Sequence, residues 1–190
     1  MTVVRITMLG DSLTAGYGLR AADALPVRLG DELDRLGVKA RVNNAGVSGD
    51  TTADGLRRVD RDVPADTRLC IVALGANDLM QVVAPDRVRS NLDAILSRLS
   101  ARSIPAMVCG MRAPPWFGFY ALTFDGLFRE VASRHGAALD PFLLEGIALN
   151  PAYALADRIH PNAEGVAFVA RRLAPRVADV LRRQSDDAGL

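Results

Sequence analysis

Six consecutive apolar residues, Leu69 to Leu74, place the strongest constraint on how this chain can fold. Their order, Leu-Cys-Ile-Val-Ala-Leu, shows no alternation of polar and apolar side chains. A strand with one solvated face alternates, whereas a strand that helices cover on both faces reads as a continuous apolar run. The run therefore predicts a buried strand of a parallel sheet that lies between two layers of helices.

Strand-like and helix-like segments alternate along the rest of the chain. Four further strands are predicted, at Val3 to Leu9, Val38 to Ala45, Ile104 to Gly110 and Ala137 to Leu139. Amphipathic helices and short connections separate them, which is typical of an α/β fold. We expect one domain over residues 1–190, with a five-stranded, doubly wound parallel sheet in three layers, similar to flavodoxin.

Three predictions concern the helices. Asp23 is expected to cap the helix that contains Pro26. In the helix after Thr52, the face opposite the apolar residues carries Arg57, Arg58 and Arg61. The last helix carries a denser basic run, consisting of Arg171, Arg172, Arg176, Arg182 and Arg183. A charged helix face of this kind usually lies in solvent, so the arginines of the last helix are predicted to be exposed.

Charge and cysteine content exclude several classes of function. The net charge is +1, from 23 basic and 22 acidic residues, and this balance predicts neither a nucleic-acid partner nor an anionic membrane surface. Cys70 and Cys109 lie inside apolar runs without metal-ligand spacing, so we expect buried free thiols and no metal site. No stretch approaches the roughly 20 apolar residues of a membrane span, so membrane insertion is not expected.

The first predicted strand begins close to the first residue, which leaves no room for a signal peptide before it. The sequence as it stands therefore predicts a cytoplasmic protein. A periplasmic or secreted location is expected instead if a leader has been removed. The sequence leaves the oligomeric state open.

Polar segments follow the predicted strands at several points. Ser12 follows the first strand, Asn44-Ala45-Gly46 ends the second, Gly75 to Asp78 follows the third, and Asp157 to Pro161 precedes the last helix. In a doubly wound sheet, ligands bind at the carboxyl ends of the strands, where the strand order reverses. We therefore expect these segments to meet at one edge of the sheet.

A serine hydroxyl becomes a useful nucleophile only when a histidine, oriented by a third group, takes its proton. The chain has two histidines. His135 lies near the end of an amphipathic helix, where a solvent-exposed or helix-terminal role is expected. His160 follows Asp157 by three residues, so a tight turn would bring the carboxylate to one ring nitrogen and leave the other for Ser12.

Acyl transfer also requires donors for the oxygen that becomes negative in the tetrahedral intermediate. Candidates are the backbone N–H groups of Ser12 and Gly46 and the side-chain amide of Asn77. Each residue also has an ordinary interpretation, as a turn, a cap or a surface residue. Their coincidence at the strand ends favours catalysis.

These segments resemble the four blocks of the GDSL, or SGNH, hydrolase family. The matching residues are Gly10 to Leu13, Asn44 to Thr51, Gly75 to Asp78 and Asp157 to Pro161, which span nearly the whole chain. The segments Met111 to Pro115 and Asp140 to Phe142 are similar to the bacterial arylesterase and acyl-CoA thioesterase I/lysophospholipase branch. The chain departs from that branch at Ala76 and Trp116.

The resemblance implies an SGNH hydrolase fold and a Ser-His-Asp triad without metal or cofactor. Ser12 would be the nucleophile, His160 the base and then the acid, and Asp157 the residue that orients His160. The oxyanion hole would consist of the Ser12 N–H, the Gly46 N–H and the Asn77 side chain.

We expect a serine esterase that forms an acyl-enzyme on Ser12. An apolar wall is predicted beside it, formed by Leu79, Met80, Trp116, Phe117, Phe119 and Leu122. A shallow site of this kind favours short to medium acyl or aryl esters, with acyl thioesters or lysophospholipids as a second class.

Two alternatives use the same residues differently. A sugar O-acetyl esterase would have the same triad but a polar, sugar-stacking site. A non-catalytic, flavodoxin-like module would bind a phosphate or flavin in the loop from Gly10 to Gly18, although that loop lacks a glycine-rich phosphate fingerprint.

Overall fold

The structure of the protein is a computed structural model that describes residues 3–188. Five strands form one sheet in the order β2-β1-β3-β4-β5, and every neighbouring pair is parallel. The strands are β1 (Val4–Gly10), β2 (Ala40–Gly46), β3 (Leu69–Ala73), β4 (Ala106–Cys109) and β5 (Ala138–Asp140). The predicted doubly wound α/β sheet is confirmed. Its strand order reverses between β1 and β3, which is where ligands bind in sheets of this type.

Helices cover both faces of the sheet. They are α1 (Ser12–Ala15), α2 (Leu25–Arg35), α3 (Thr52–Asp62), α4 (Ala76–Met80), α5 (Pro85–Ala101), α6 (Phe119–Arg134) and α7 (Ala163–Ala188). Helix α2 packs against α7 on one face, and α3, α5 and α6 pack side by side on the other. Within residues 3–188, no helix is both long enough and apolar enough to cross a bilayer.

The core lies on both sides of β3. Every residue of this strand is buried, as its continuous apolar sequence predicts. Leu29 and Leu33 of α2 and Leu92 and Ile95 of α5 are fully buried in the same hydrophobic cluster. Because this central part of the sheet is held from both sides, the strand ends that carry the polar segments have a rigid support.

The two cysteines and His135 lie where the sequence predicts them. Cys70 and Cys109 are buried free thiols, and burial raises the pKa of Cys70 to about 12. His135 is the C-cap residue of α6, and its Nε2 lies 3.1 Å from Asp93 Oδ1 on α5. The helix-terminal interpretation of His135 is thus confirmed.

The prediction that Asp23 caps α2 is wrong, because the N-cap residue of α2 is Ala24. Asp23 lies in the preceding 3-10 turn, and its buried carboxylate accepts hydrogen bonds from Arg20 (2.7 Å) and Arg28 (2.5 Å). A charged guanidinium is a stronger donor to a carboxylate than a backbone N–H, so the two arginines take the oxygens that a cap would use.

The prediction that the arginines of α7 lie in solvent is wrong for Arg172. Arg58 of α3, which was predicted only to lie on the face opposite the apolar residues, is buried as well. The side chain of Arg58 is only 8% exposed, and that of Arg172 is 18% exposed. Arg172 binds the fully buried carboxylate of Asp140 through two hydrogen bonds, of 2.6 and 2.8 Å. Buried carboxylates and carbonyls require donors, and a long arginine side chain supplies them from the border of a helix face.

Candidate active site

Ser12 lies immediately beyond the end of β1, at the point where the strand order reverses. Asp11 is the N-cap of the short helix α1, and its Oδ1 accepts a hydrogen bond of 3.0 Å from Leu13 N–H. A Cβ at Gly10 would lie 2.0 Å from Thr14 Oγ1, so this sharp turn from strand to helix requires glycine. The local sequence thus fixes Ser12 at the carboxyl edge of the sheet.

The segment before α7 forms a tight turn that pairs Asp157 with His160. Leu155 N–H donates to His160 O across the turn (2.8 Å), and Arg158 adopts a left-handed conformation with φ of 60°. Asp157 Oδ1 accepts hydrogen bonds from the backbone N–H groups of Ile159 (2.9 Å) and His160 (3.0 Å). Its other oxygen, Oδ2, lies 2.6 Å from His160 Nδ1. The carboxylate therefore holds both the turn and the imidazole ring.

The second imidazole nitrogen meets the serine. His160 Nε2 lies 3.0 Å from Ser12 Oγ, although 148 positions separate the two residues in the chain. The ring of Tyr17 packs against the imidazole, with the ring centroids 4.4 Å apart. Serine, histidine and aspartate thus form one continuous chain of hydrogen bonds, which is the geometry that a histidine base requires.

Two carboxyl groups at the site have opposite pKa shifts. The hydrogen bond from His160, together with two backbone N–H donors, lowers the pKa of Asp157 to about 2. Burial raises the pKa of Asp11 to about 6, against the effect of the Leu13 N–H donor. At neutral pH Asp157 is therefore ionised, and it can stabilise a positive charge that forms on His160.

The candidate oxyanion donors lie next to the Ser12 turn. Ser12 is the first residue of α1, where a backbone N–H has no acceptor within the helix. A Cβ at Gly46 would lie 2.3 Å from Ala15 N, so Gly46 is in close backbone contact with the other end of α1. Asn77 Nδ2 lies 3.4 Å from Asp11 Oδ2 and donates to Asp50 O at 2.9 Å. The three predicted donor residues thus surround one short turn.

The donor at Gly46 has a partner within the protein. Gly46 N–H donates to Asn44 Oδ1 at 3.0 Å. A substrate oxygen would have to replace this contact, which costs little because Asn44 is an exposed residue and water can take over the hydrogen bond to its amide oxygen.

A buried polar network holds the helix that carries Asn77. Asp78 accepts hydrogen bonds from the N–H (2.8 Å) and the hydroxyl (2.7 Å) of Thr52, the first residue of α3. Asn91 of α5 donates to the same hydroxyl at 3.0 Å. Because Asp78 is adjacent to Asn77, this network fixes α4 relative to α3 and α5.

The predicted apolar wall divides into two groups. Leu79 and Phe117 are half-buried and pack against the core, so part of their role is structural. The other four residues of the predicted wall are exposed, namely Met80 (63%), Trp116 (74%), Phe119 (83%) and Leu122 (75%). These four side chains are available to an apolar ligand but are not closed around a cavity.

Three residues that contact the triad or its surroundings were not predicted from the sequence. Tyr17 could have been noted as an aromatic residue between two glycines directly after the Ser12 turn. Asp11 occupies an N-cap position, for which aspartate is a recognised signal. Arg58 gave no signal of its own, because helical periodicity predicts for it the face opposite the apolar residues and does not reveal what its side chain reaches.

Within residues 3–188, no three His, Cys, Asp or Glu side chains converge in a way that could hold a metal ion.

Residues 8–168 match the GDSL-like Lipase/Acylhydrolase family. The chain is 31% identical over 172 residues to an arylesterase of Vibrio mimicus, covering 90% of this chain and 86% of that protein. It is also 31% identical over 182 residues to thioesterase 1/protease 1/lysophospholipase L1 of Escherichia coli strain K12, covering 95% and 86%. Among solved structures, the SGNH-hydrolase family esterase AlinE4 is 41% identical and has a TM-score of 0.79, with 95% of this chain and 98% of that chain covered.

Proposed function

Since the chain belongs to the GDSL-like lipase/acylhydrolase family, it is a serine hydrolase of carboxylic esters, and we propose that Ser12, His160 and Asp157 are its catalytic triad. The observation that carries the proposal is the 3.0 Å contact between His160 Nε2 and Ser12 Oγ, with Asp157 on the opposite ring nitrogen. Three residues from two distant segments form this arrangement at the sheet edge where ligands bind.

The reaction proceeds through an acyl-enzyme. Ser12 Oγ attacks the ester carbonyl carbon while His160 Nε2 accepts the hydroxyl proton, and Asp157 keeps the other ring nitrogen protonated. The tetrahedral intermediate then collapses, and His160 gives its proton to the departing alcohol or thiol. A water molecule attacks the acyl group in the same way, with His160 again accepting and returning the proton.

The negative oxygen of the tetrahedral intermediate binds three donors. These are the N–H groups of Ser12 and Gly46 and one N–H of the Asn77 side chain. Asn77 has two such N–H groups, of which one donates to Asp50 O at 2.9 Å and the other makes only the long contact with Asp11. The second N–H is thus available without breaking a short hydrogen bond.

The preferred substrates in this proposal are short to medium acyl esters and aryl esters, with acyl thioesters as a second class. The support is the exposed apolar surface of Met80, Trp116 and Phe119, which suits an acyl chain or an aryl ring better than a sugar. The names of the Vibrio mimicus and Escherichia coli relatives agree with these two classes.

The triad is tested with Ser12→Ala and p-nitrophenyl acetate. We expect kcat/KM to fall by about 10,000-fold or more, because the nucleophile is absent. Ser133→Ala, which removes an exposed hydroxyl from α6, serves as the matched control and should retain full activity. Full esterase activity in Ser12→Ala would overturn the assignment of the triad.

The substrate class is tested with p-nitrophenyl esters of increasing acyl length, assayed beside an acyl-CoA and an acetylated sugar. We expect the highest kcat/KM on short or medium chains, and lower values on the thioester. A maximum on long chains, or activity on the acetylated sugar alone, would contradict the proposed substrate class.

A further inference from the structure

The carboxyl edge of the sheet carries exposed apolar side chains around the triad. In a parallel sheet the carboxyl ends of the strands meet at one edge, so the segments that follow the strands lie side by side there. The surface around Ser12 and His160 is therefore apolar on several sides. At least one exposed large apolar residue follows each strand, namely Tyr17 after β1, Val47 after β2, Met80 and Val82 after β3, Trp116 after β4 and Ile159 after β5.

Two neighbouring segments, one after β3 and one after β4, carry most of this surface. The hydroxyl of Tyr120 donates to Val83 O at 2.9 Å and thereby joins the two segments. Phe117 packs on Tyr120, with the ring centroids 5.8 Å apart. The exposed apolar side chains of the two segments thus belong to one surface. We call it the apolar rim, and it consists of Met80, Val82, Trp116, Phe119 and Leu122.

The segments that form the apolar rim contain no charged residue. Residues 79–85 and 113–124 include no Asp, Glu, Lys, Arg or His, whereas charged residues make up 24% of the whole chain. At that frequency the second segment alone would hold about three charges. The nearest charged residues in sequence on the outer sides, Asp86 and Arg112, are exposed. An exposed apolar patch bordered by polar residues marks an interaction surface.

The backbone of Val82 gives a second indication that the apolar rim has an external partner. Val82 adopts the left-handed conformation, with φ of 52°, which a β-branched residue rarely adopts and which favours asparagine or glycine. Val82 is also 58% exposed, so packing against the core does not explain an apolar side chain at this position. A contact with an apolar partner outside the protein would explain it.

We propose that the apolar rim docks the protein on a zwitterionic lipid surface, an inference that rests on the proposed function because the triad then meets apolar esters in that surface. Anionic lipids attract basic segments, whereas a charge-free rim on a chain of net charge +1 suits a surface without net charge. Aromatic side chains such as those of Trp116 and Phe119 favour the boundary between headgroups and acyl chains.

A second copy of the chain suits this surface less well than lipid does. The apolar rim adjoins the catalytic residues, since Met80 belongs to α4, which also carries Asn77. Exposed Ile159 precedes His160 directly, and Tyr17 packs on the imidazole. A protein held permanently on this edge would cover Ser12, whereas a lipid surface would supply it with substrate.

Trp116 allows docking to be measured directly, because it is the only tryptophan of the chain. We expect its fluorescence emission to shift to shorter wavelength when phosphatidylcholine vesicles are added, since the indole leaves water. The partition coefficient should change by less than about two-fold between roughly 0.05 and 0.5 M NaCl, because no charge attraction is involved. An unshifted emission at high lipid concentration, or a shift with anionic vesicles alone, would overturn the proposal.

A pair of double variants tests whether the apolar rim is the surface that docks. Phe119→Ser combined with Leu122→Ser removes two side chains of the rim and keeps Trp116 as the reporter. We expect the partition coefficient to fall by about 10-fold or more, because less apolar area enters the lipid. Val27→Ser combined with Leu36→Ser is the matched control, which removes two exposed apolar side chains (43% and 44%) elsewhere and should stay within about two-fold. Equal losses would overturn the proposal.

Val82→Asn separates lost docking from lost folding. Asparagine tolerates the left-handed conformation better than valine, so the midpoint of urea unfolding should stay the same or rise. The partition coefficient should nevertheless fall by about three-fold, because one apolar side chain has left the rim. A partition coefficient that follows the stability of the variants, rather than their apolar surface, would overturn the proposal.

Sedimentation in the absence of lipid distinguishes lipid docking from self-association. We expect the same mass for the wild type and for Phe119→Ser combined with Leu122→Ser. A dimer that this double variant dissociates would assign the apolar rim to a second copy and overturn the proposal. Ser12→Ala should bind vesicles as the wild type does, so full esterase activity of Ser12→Ala would overturn the triad and leave the docking result standing.

Discussion

Within residues 3–188 there are two histidine–aspartate pairs, and only one of them faces a serine. His160 pairs with Asp157 at the carboxyl edge of the sheet, and His135 pairs with Asp93 between α6 and α5. The two imidazole side chains have almost the same exposure, 21% and 18%. Burial therefore does not distinguish the reactive histidine from the structural one.

The difference lies in the partners of each pair. Asp157 is three residues from His160 and receives two backbone N–H groups in addition to the ring. Asp93 is 42 positions from His135 and shares its charge with the guanidinium of Arg134. A carboxylate already neutralised by an arginine does less to stabilise an imidazolium. The surroundings of the aspartate, and not the burial of the histidine, therefore decide which pair can take part in catalysis.

Removal of each imidazole gives the largest contrast. His160→Ala should lower kcat by about 10,000-fold or more, because Ser12 loses its base. His135→Ala should leave kcat within about two-fold and reduce the free energy of unfolding by about 1 kcal/mol, since one partly buried contact is lost. Steady-state kinetics give kcat for both variants, and urea unfolding gives their stability. Comparable losses of kcat in His160→Ala and His135→Ala would contradict the assignment of separate roles to the two histidines.

Neutralising each acid is expected to give a smaller contrast. Asp157→Asn should lower kcat by roughly 1,000-fold, because the amide cannot stabilise the imidazolium and favours the wrong tautomer. Asp93→Asn should leave kcat within about two-fold, as it acts only on the structural pair. The measurement is kcat with p-nitrophenyl butyrate at neutral pH, where an unaffected Asp157→Asn variant would remove Asp157 from the triad.

A third carboxyl, Asp11, lies near His160 and predicts a pH dependence of stability. Its pKa is about 6 in the folded protein and about 4 in the unfolded chain, so the folded state binds the proton more tightly between these values. The free energy of unfolding should therefore decline as pH rises from about 4 to about 6, by about 1 to 3 kcal/mol, and then level off.

Asp11→Asn should flatten that decline, because asparagine has no titration and still caps α1. Urea unfolding at several pH values between 4 and 8 measures the slope. Asp157→Asn is the control that keeps the decline, since Asp157, with a pKa of about 2, is already ionised in the folded protein throughout this range and its lowered pKa favours a rise of stability with pH. A decline in Asp11→Asn as steep as that of the wild type would contradict the assignment to Asp11.

The smallest expected effect concerns the ring that packs on His160. Tyr17→Ala should lower kcat by about 3- to 10-fold, because the imidazole loses a contact that restricts its rotation. Tyr17→Phe keeps the ring and should behave as wild type in the same kinetic assay. A loss in Tyr17→Phe as large as that in Tyr17→Ala would instead point to the hydroxyl group.

The features that could be predicted from the sequence are those that depend on a short, continuous segment of the chain. The apolar run at Leu69 to Leu74 predicted a strand covered on both faces, and the spacing of Asp157 and His160 is compatible with the single turn that joins them. The contact of Tyr17 with His160 could not be predicted in this way, because it depends on how two distant loops meet at the sheet edge.

The buried arginines escaped sequence analysis for a different reason. Helical periodicity assigns Arg58 and Arg172 to a side of the helix, but a side chain of this length reaches acceptors well beyond that side. The acceptors are backbone carbonyls and carboxylates whose need for donors becomes visible only when the strands are in place.

Because Asp157 and His160 lie in one short turn, substitutions elsewhere in the chain have little effect on how these two residues pair. Since the acid and the base are joined by local hydrogen bonds, they shift as one rigid unit when the surrounding loops shift. Within the triad, the rest of the fold then has one long-range distance to maintain, from His160 Nε2 to Ser12 Oγ. Sequence drift elsewhere in the chain is thus compatible with an intact triad as long as that one distance is preserved.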